Sequence, residues 1–176
     1  MKVSHSISIF NATKKTIITL GTFDGVHLGH QAILKKLVNA TENGAYESLV
    51  LTFYPHPRMV LNQEGTMHLL NTIEEKTILL EKSGIDHLII HPFDENFSKL
   101  SAEAFVKNVL VDQLNIHKII IGYDHRFGEN RSANITDLIE FGKKYNFEVV
   151  QINAEEINEI SISSTKIRTA LLDGAI

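Results

Sequence analysis

Residues 21–30 read Gly-Thr-Phe-Asp-Gly-Val-His-Leu-Gly-His, and two features of that run could do chemistry. The first is a glycine-rich passage between a β-branched run, Thr16–Leu20, and a segment of helical period. A strand-to-helix loop of this kind gathers backbone N–H groups and a helix N-terminus at one spot, which attracts phosphate. The second is the spacing of His27 and His30. If the helix begins near Leu28, residues three apart lie about one turn apart on one side, so two imidazoles can donate to one polyphosphate. Gly29 between them has no side chain to hold a phosphate off the backbone. Imidazole donates near neutral pH whether charged or not, and such donors count most where charge builds on a leaving group. Two loop histidines can equally be solvated or capping residues, so the pattern needs context. Neither of the common phosphate-loop signatures, Gly-x-x-x-x-Gly-Lys-Ser/Thr or Gly-x-Gly-x-x-Gly, occurs in the chain.

Three further segments carry reactive types. Thr52-Phe53-Tyr54-Pro55-His56-Pro57-Arg58 follows a β-branched run, and its two prolines fix the backbone into a stiff wall. Gly122-Tyr123-Asp124-His125-Arg126-Phe127-Gly128-Glu129-Asn130-Arg131 ends another such run in glycine, carboxylate and guanidinium, a mixture that suits either a binding loop or a charged surface turn. Ile162-Ser163-Ser164-Thr165-Lys166-Ile167-Arg168 opens a helical segment with hydroxyls, which cap a helix start and can also hold phosphate oxygens. Arg168, three after Thr165, reaches the same place.

The elements that must position these segments alternate in type. The spacing predicts strands over Thr16–Leu20, Ser48–Phe53, His87–His91, Lys118–Gly122 and Glu148–Ile152, with Ser6–Phe10 as a candidate edge strand. Between them lie predicted helices over Gly29–Thr41, with Ile33, Leu34, Leu37 and Val38 on one stripe, and Ile73–Lys82, with Ile73, Ile78 and Leu79. Others start at Ser101 and cover Ile135–Tyr145 and Ser164–Leu172. Such alternation implies an α/β fold, a Rossmann-like parallel sheet covered by helices on both faces. Ligands of such sheets bind beyond the carboxyl ends of the strands, where the reactive segments fall. The 176 residues show no repeat or linker, so a single domain over 1–176 is expected. A net charge of −4 gives no basic footprint for nucleic acid. Without cysteines there is no disulfide framework or thiolate metal site, and no apolar run approaches the ~20 residues that span a bilayer. These features, with no signal-peptide pattern, place the expected protein in the cytoplasm, with no nucleic-acid or membrane partner.

With the four segments in view, the first resembles the His-x-Gly-His signature of the nucleotidyltransferase superfamily. Its longer form, Gly-x-Phe-Asp-Gly-Val-His-x-Gly-His, is similar to that of bacterial FAD synthetases, the adenylyltransferase module of bifunctional riboflavin kinase/FMN adenylyltransferases. The Phe-x-Pro-His-Pro segment, the loop after Gly122 and Ser-Ser-Thr-x-Ile-Arg follow in the order that family has. The resemblance implies a nucleotidyltransferase-type fold and transfer of AMP from ATP to FMN, with Mg²⁺ accompanying ATP. No dedicated cluster of metal-binding carboxylates is evident. It implies phosphate-stabilising roles for His27, His30, Ser164, Thr165 and Arg168, and nucleotide contacts for Gly21, Phe23, Gly29 and Asp124. Phe53, Pro55, His56 and Pro57 fall on the FMN side. His125 stands where the family usually has Phe, and Ala133-Asn134 where a small residue and Gly are common. The resemblance stops near Leu172–Ile176, where a linker to the riboflavin kinase module would begin, so that module is expected in the family but absent from this chain. Two other readings remain open: a related adenylyl- or cytidylyltransferase using another phosphorylated acceptor, such as nicotinamide mononucleotide or pantetheine phosphate, and a non-catalytic ATP-binding module.

Overall fold

A computed structural model describes residues 1–61, 67–123, 125–153 and 162–175. Six strands form one sheet: β1 (Lys2–Ser4), β2 (Thr16–Leu20), β3 (Glu47–Tyr54), β4 (His87–Pro92), β5 (Ile116–Gly122) and β6 (Glu148–Ile152). Their order is β1-β4-β3-β2-β5-β6 and every pairing is parallel. Side chains alternate across the sheet, as the strand period of two requires. Ile18, Leu49, Leu51, Ile89, Ile119 and Ile121 enter one core cluster, while Ile17, Val50, Leu88, Ile90 and Ile120 enter the other. Both faces are buried, which is why these runs read as continuous aliphatic stretches.

On the first face lie Phe105, Val106, Val109 and Leu110, from π-helical turns over Phe105–Gln113 that continue the short α5 (Ala102–Ala104), and Leu138 from α6 (Ile135–Tyr145). The second face is covered by α1 (Leu28–Asn39), through Leu34 and Leu37, and by α3 (Ile73–Glu81), through Leu80. Short α2 (Pro57–Leu61) and α4 (Glu95–Ser98) follow β3 and β4, and α7 (Ser164–Leu172) closes the described chain. Among the described residues no helix is long and apolar enough to cross a membrane.

Two expectations need correction. The edge strand is Lys2–Ser4, paired with β4, and not Ser6–Phe10. Ile7–Ile9 instead form a 3₁₀ turn, because the Ser6 side chain accepts a hydrogen bond from the Ser8 N–H and caps it. In α3 the inward stripe is Ile73, Lys76 and Leu80, whereas Ile78 is exposed. At 100° per residue Ile78 lies about 140° round from Ile73, so hydrophobicity alone misplaced it.

The strand order fixes where a ligand belongs. From β2 the chain builds β3 and β4 to one side, then returns to place β5 and β6 on the other. The reversal lies between β2 and β5, and doubly wound sheets bind ligands in the crevice at that switch point.

Candidate active site

The loop leaving β2 is held in an unusual backbone path. Gly21 extends the sheet by donating its N–H to the Leu51 carbonyl, 3.1 Å away. Phe23 and the β-branched Val26 then adopt positive φ values of 48° and 37°, a region L-residues seldom occupy without surrounding support. That support is visible. Both side chains are buried in the second core cluster, and Val26 N–H bonds to the Phe23 carbonyl. Gly25, at φ 81°, leaves no room for a methyl group, since a Cβ there would come within 2.6 Å of Leu70.

This path delivers His27 to the N-cap position of α1 and His30 to its first turn, with Gly29 buried between them. The imidazoles stack with centroids 3.7 Å apart and 22° between planes, and Phe23 backs His30 at 4.9 Å. His27 makes no capping bond through its side chain, so it does not satisfy the free N–H groups of the helix start. The Nδ1 atoms of both histidines are buried and find no partner in the protein. Burial holds His27 below the usual histidine range, against the pull of Asp24. Burial, then the charges of His27 and Lys76, pushes His30 down to about 3. Burial thus favours the neutral form of both rings.

Asp24, quoted in the motif but assigned no role from sequence, ties the site together. It is fully buried. Oδ1 accepts the Leu70 N–H at 2.9 Å, Oδ2 accepts from Arg168 Nη1, and its backbone carbonyl accepts the Ser164 hydroxyl at 2.8 Å. The last two bonds fasten α7 to the β2 loop, 140 residues away in sequence for Ser164. Ser163 supplies the N-cap, accepting from Lys166 N–H, which leaves the Ser164 hydroxyl for Asp24. Arg168 Nη2 also reaches Thr165 Oγ1 at 3.3 Å. Ser164, Thr165 and Arg168 are thus brought beside the loop that carries His27 and His30, while Arg168 spends its strongest contact on a carboxylate.

The segment after β3 joins the same place. Thr52 Oγ1 donates to the Thr22 carbonyl at 3.2 Å. Phe53 is buried against Phe93 and Phe97, at 5.6 and 5.5 Å, whereas Tyr54, Pro55 and Arg58 are exposed. The Tyr54–Pro55 bond is cis. His56 is buried and accepts the Arg58 N–H at Nδ1, with Pro57 half-buried beside it. Burial moves His56 down to about 4 against the pull of Asp24, and Lys76, Arg168 and Arg58 push the same way as burial.

Sequence reasoning missed Lys76. It is only 4% exposed, and its ammonium donates to the Thr22 carbonyl at 2.7 Å. The signal was a lysine on the Ile73–Leu80 stripe of a helix. In the loop after β5, Asp124 lies outside the described residues. The remainder closes through an antiparallel bridge between Phe127 and Ala133, with the His125 ring stacked over Phe127 at 6.4 Å. Asn134 caps α6 in a reciprocal pair with Asp137, which accounts for a residue other than glycine there. Among the described residues no group of three or more His, Cys, Asp or Glu could hold a metal.

Neutral and cationic donors at the switch point of a doubly wound sheet suit a polyphosphate, and fold and site together define a protein of the nucleotidyltransferase type. The fold extends to a pantoate-beta-alanine ligase from Francisella tularensis, 11% identical, with a TM-score of 0.50 over 87% of this chain and 67% of that one. The family model for FAD synthetase matches residues 9–166, and the chain belongs to that family. Bifunctional riboflavin kinase/FMN adenylyltransferases are similar along nearly the whole chain. The protein of Buchnera aphidicola from Schizaphis graminum is 40% identical over 98% of this chain and 55% of its own length. That of Listeria monocytogenes is 36% identical over 91% and 51%. The chain thus spans about half the length of the curated relatives it matches. A solved Streptococcus pneumoniae structure titled a macrolide-efflux protein is 26% identical with a TM-score of 0.83, over 99% of this chain and 57% of that one.

Proposed function

We propose that residues 1–176 act as a single FMN adenylyltransferase domain, working in the cytoplasm, that transfers AMP from ATP to FMN and releases pyrophosphate. The observation that carries this reading is the stacked pair His27 and His30 at the start of α1, its buried Nδ1 atoms unpartnered, beside Ser164, Thr165 and Arg168. Unsatisfied polar atoms in a buried site are uncommon enough to call for a ligand. Family membership supplies the nucleotide and the acceptor.

An oxygen of the FMN phosphate attacks the α-phosphorus of ATP in line. The new P–O bond forms as the bond to the β-phosphate oxygen breaks, and that electron pair leaves with pyrophosphate. No covalent enzyme intermediate is needed, so the residues act by positioning and by stabilising charge. His27 and His30 donate to oxygens that gain charge as pyrophosphate departs, and the free N–H groups of α1 add to that field. Arg168 offers a planar guanidinium and Thr165 a hydroxyl from the facing helix. Gly21, Phe23 and Gly29 shape the floor of the nucleotide site. Pro55, His56 and Pro57 give the flavin a stiff wall, with Phe53 supporting it from beneath. Mg²⁺ accompanying ATP would supply positive charge that offsets that of the phosphates, while His27, His30 and Arg168 hold the triphosphate that carries it.

The deciding experiment incubates the chain with ATP, Mg²⁺ and a panel of acceptors, and identifies products by chromatography. FAD and pyrophosphate are expected with FMN. Turnover only with nicotinamide mononucleotide or pantetheine phosphate would reassign the acceptor. Tight ATP binding without product would mark a binding module.

A further inference from the structure

The Thr22 carbonyl is held from two sides. Lys76 of α3 donates its ammonium to it at 2.7 Å, and Thr52 of β3 donates its hydroxyl at 3.2 Å. Both residues are buried, Lys76 with 4% of its surface exposed and Thr52 with none. A peptide unit is planar, so fixing that carbonyl also fixes the amide nitrogen of Phe23, where the backbone turns to positive φ. The path from there carries His27 to the start of α1, and the Phe23 ring comes to rest 4.9 Å from His30. The imidazoles have no comparable hold of their own. His27 makes no capping bond, and the buried Nδ1 atoms of both rings find no partner in the protein. Their placement is inherited from the loop that precedes them.

A lysine this buried is uncommon, and its loss of hydration is unfavourable. On α3 it shares the inward stripe with Ile73 and Leu80, where an aliphatic side chain would pack without that cost. An ammonium kept there, and bonded to the peptide that opens the turn, supplies a fixed backbone position and not core packing. We propose that Lys76 is a positioning residue for the histidine pair: by fixing the Thr22–Phe23 peptide it sets the turn on which the stacking of His27 and His30 depends. That the pair acts on a polyphosphate rests on the function proposed above.

The test uses the whole chain and reads two quantities: the His30 ring resonances of the ligand-free protein by NMR, and kcat and KM with ATP, Mg²⁺ and FMN. Stacking against His27 and Phe23 gives His30 ring-current-shifted signals, assigned by their loss in His30→Gln. Lys76→Met keeps a stem of similar length without the ammonium. It should move the His30 signals toward their unstacked position. It should also lower kcat about tenfold while the ATP KM changes less than about threefold, because misplaced donors count mostly in the transition state. Lys76→Arg, which retains a donor, should recover part of both effects. In a Thr52→Val background, where the carbonyl has lost its other donor, Lys76→Met should cost at least about threefold more in kcat than in the parent. Leu80→Val, on the same stripe, removes no contact with Thr22 and should leave kcat within about threefold. Unmoved His30 signals, equal losses with and without the Thr52 hydroxyl, or a matching kcat loss in Leu80→Val overturns the inference. Should Lys76→Met fail to fold, Lys76→Gln, whose side chain ends short of the carbonyl, is read in the same ways. A parent chain that makes no FAD overturns the proposed function instead, and the His30 signals then decide the role of Lys76 by themselves.

Discussion

The two walls of the site are built in opposite ways. α1 is seated on the sheet by Leu34 and Leu37, and the loop before it buries Phe23 and Val26. α7 has no buried residue and is fastened to that loop by Ser164 and Arg168 on Asp24. Apolar burial is insensitive to which polar partner is present, so the histidine wall is held by its core and not by polar contacts. Polar contacts can be exchanged for others of the same kind. The contrast suits a reaction in which preorganised donors wait at one side and a cation closes from the other.

The comparison breaks most readily at the base of α1. Leu37 is fully buried, and Leu37→Ala should lower unfolding free energy by about 2–5 kcal/mol in a urea titration. A loss below about 1 kcal/mol would mean that α1 is not seated as described. Next come the histidines themselves. His27→Ala or His30→Ala should reduce kcat on the order of 10²–10³ and raise the ATP KM less, as expected of donors that count mainly in the transition state. Because both act on one polyphosphate, the double substitution should fall well short of the product of the singles. Unchanged kcat with weaker ATP binding would make them ground-state ligands.

On the other wall, Arg168→Ala should cut kcat/KM by roughly 10–100-fold, the range of a charge-assisted contact, with the far-UV spectrum unchanged. Activity within a few-fold of the parent would reduce the Ser-Ser-Thr segment to a helix cap. A pH series sharpens the contrast further. His30 and His56 have folded values of about 3 and about 4 against an unfolded value of 6.5. With folded values depressed, the unfolded chain takes up protons first as pH falls. The stability tied to these neutral rings is complete above about pH 6.5 and is lost progressively as pH falls toward 4 and then 3. His56→Gln should flatten that slope in Tm against pH, and an unaltered slope would assign the acid sensitivity elsewhere. The smallest effect belongs to the far end of α7. Leu172 is 76% exposed, and Leu172→Ala should change stability by less than about 0.5 kcal/mol.

How much of this was legible beforehand depended on the range of the interactions. β2, β6, α6 and α7 begin and end where period and punctuation put them, because aliphatic alternation, capping residues and glycine act within a few residues. The histidine spacing was legible for the same reason: a helix starting at Leu28 forces the two rings onto one side. The error at Ser6–Phe10 was also local, a serine cap outweighing β-branched side chains. What the sequence could not determine was which partner each polar group takes across the fold. Asp24 meets Leu70 and Arg168, and Lys76 meets Thr22, at separations from 46 to 144 residues. Nothing in local propensity encodes such pairs. They exist because the chain reverses direction at β2 and brings α3, the β2 loop and α7 to one end of the sheet, and because a buried charge must find its partner wherever the topology leaves one.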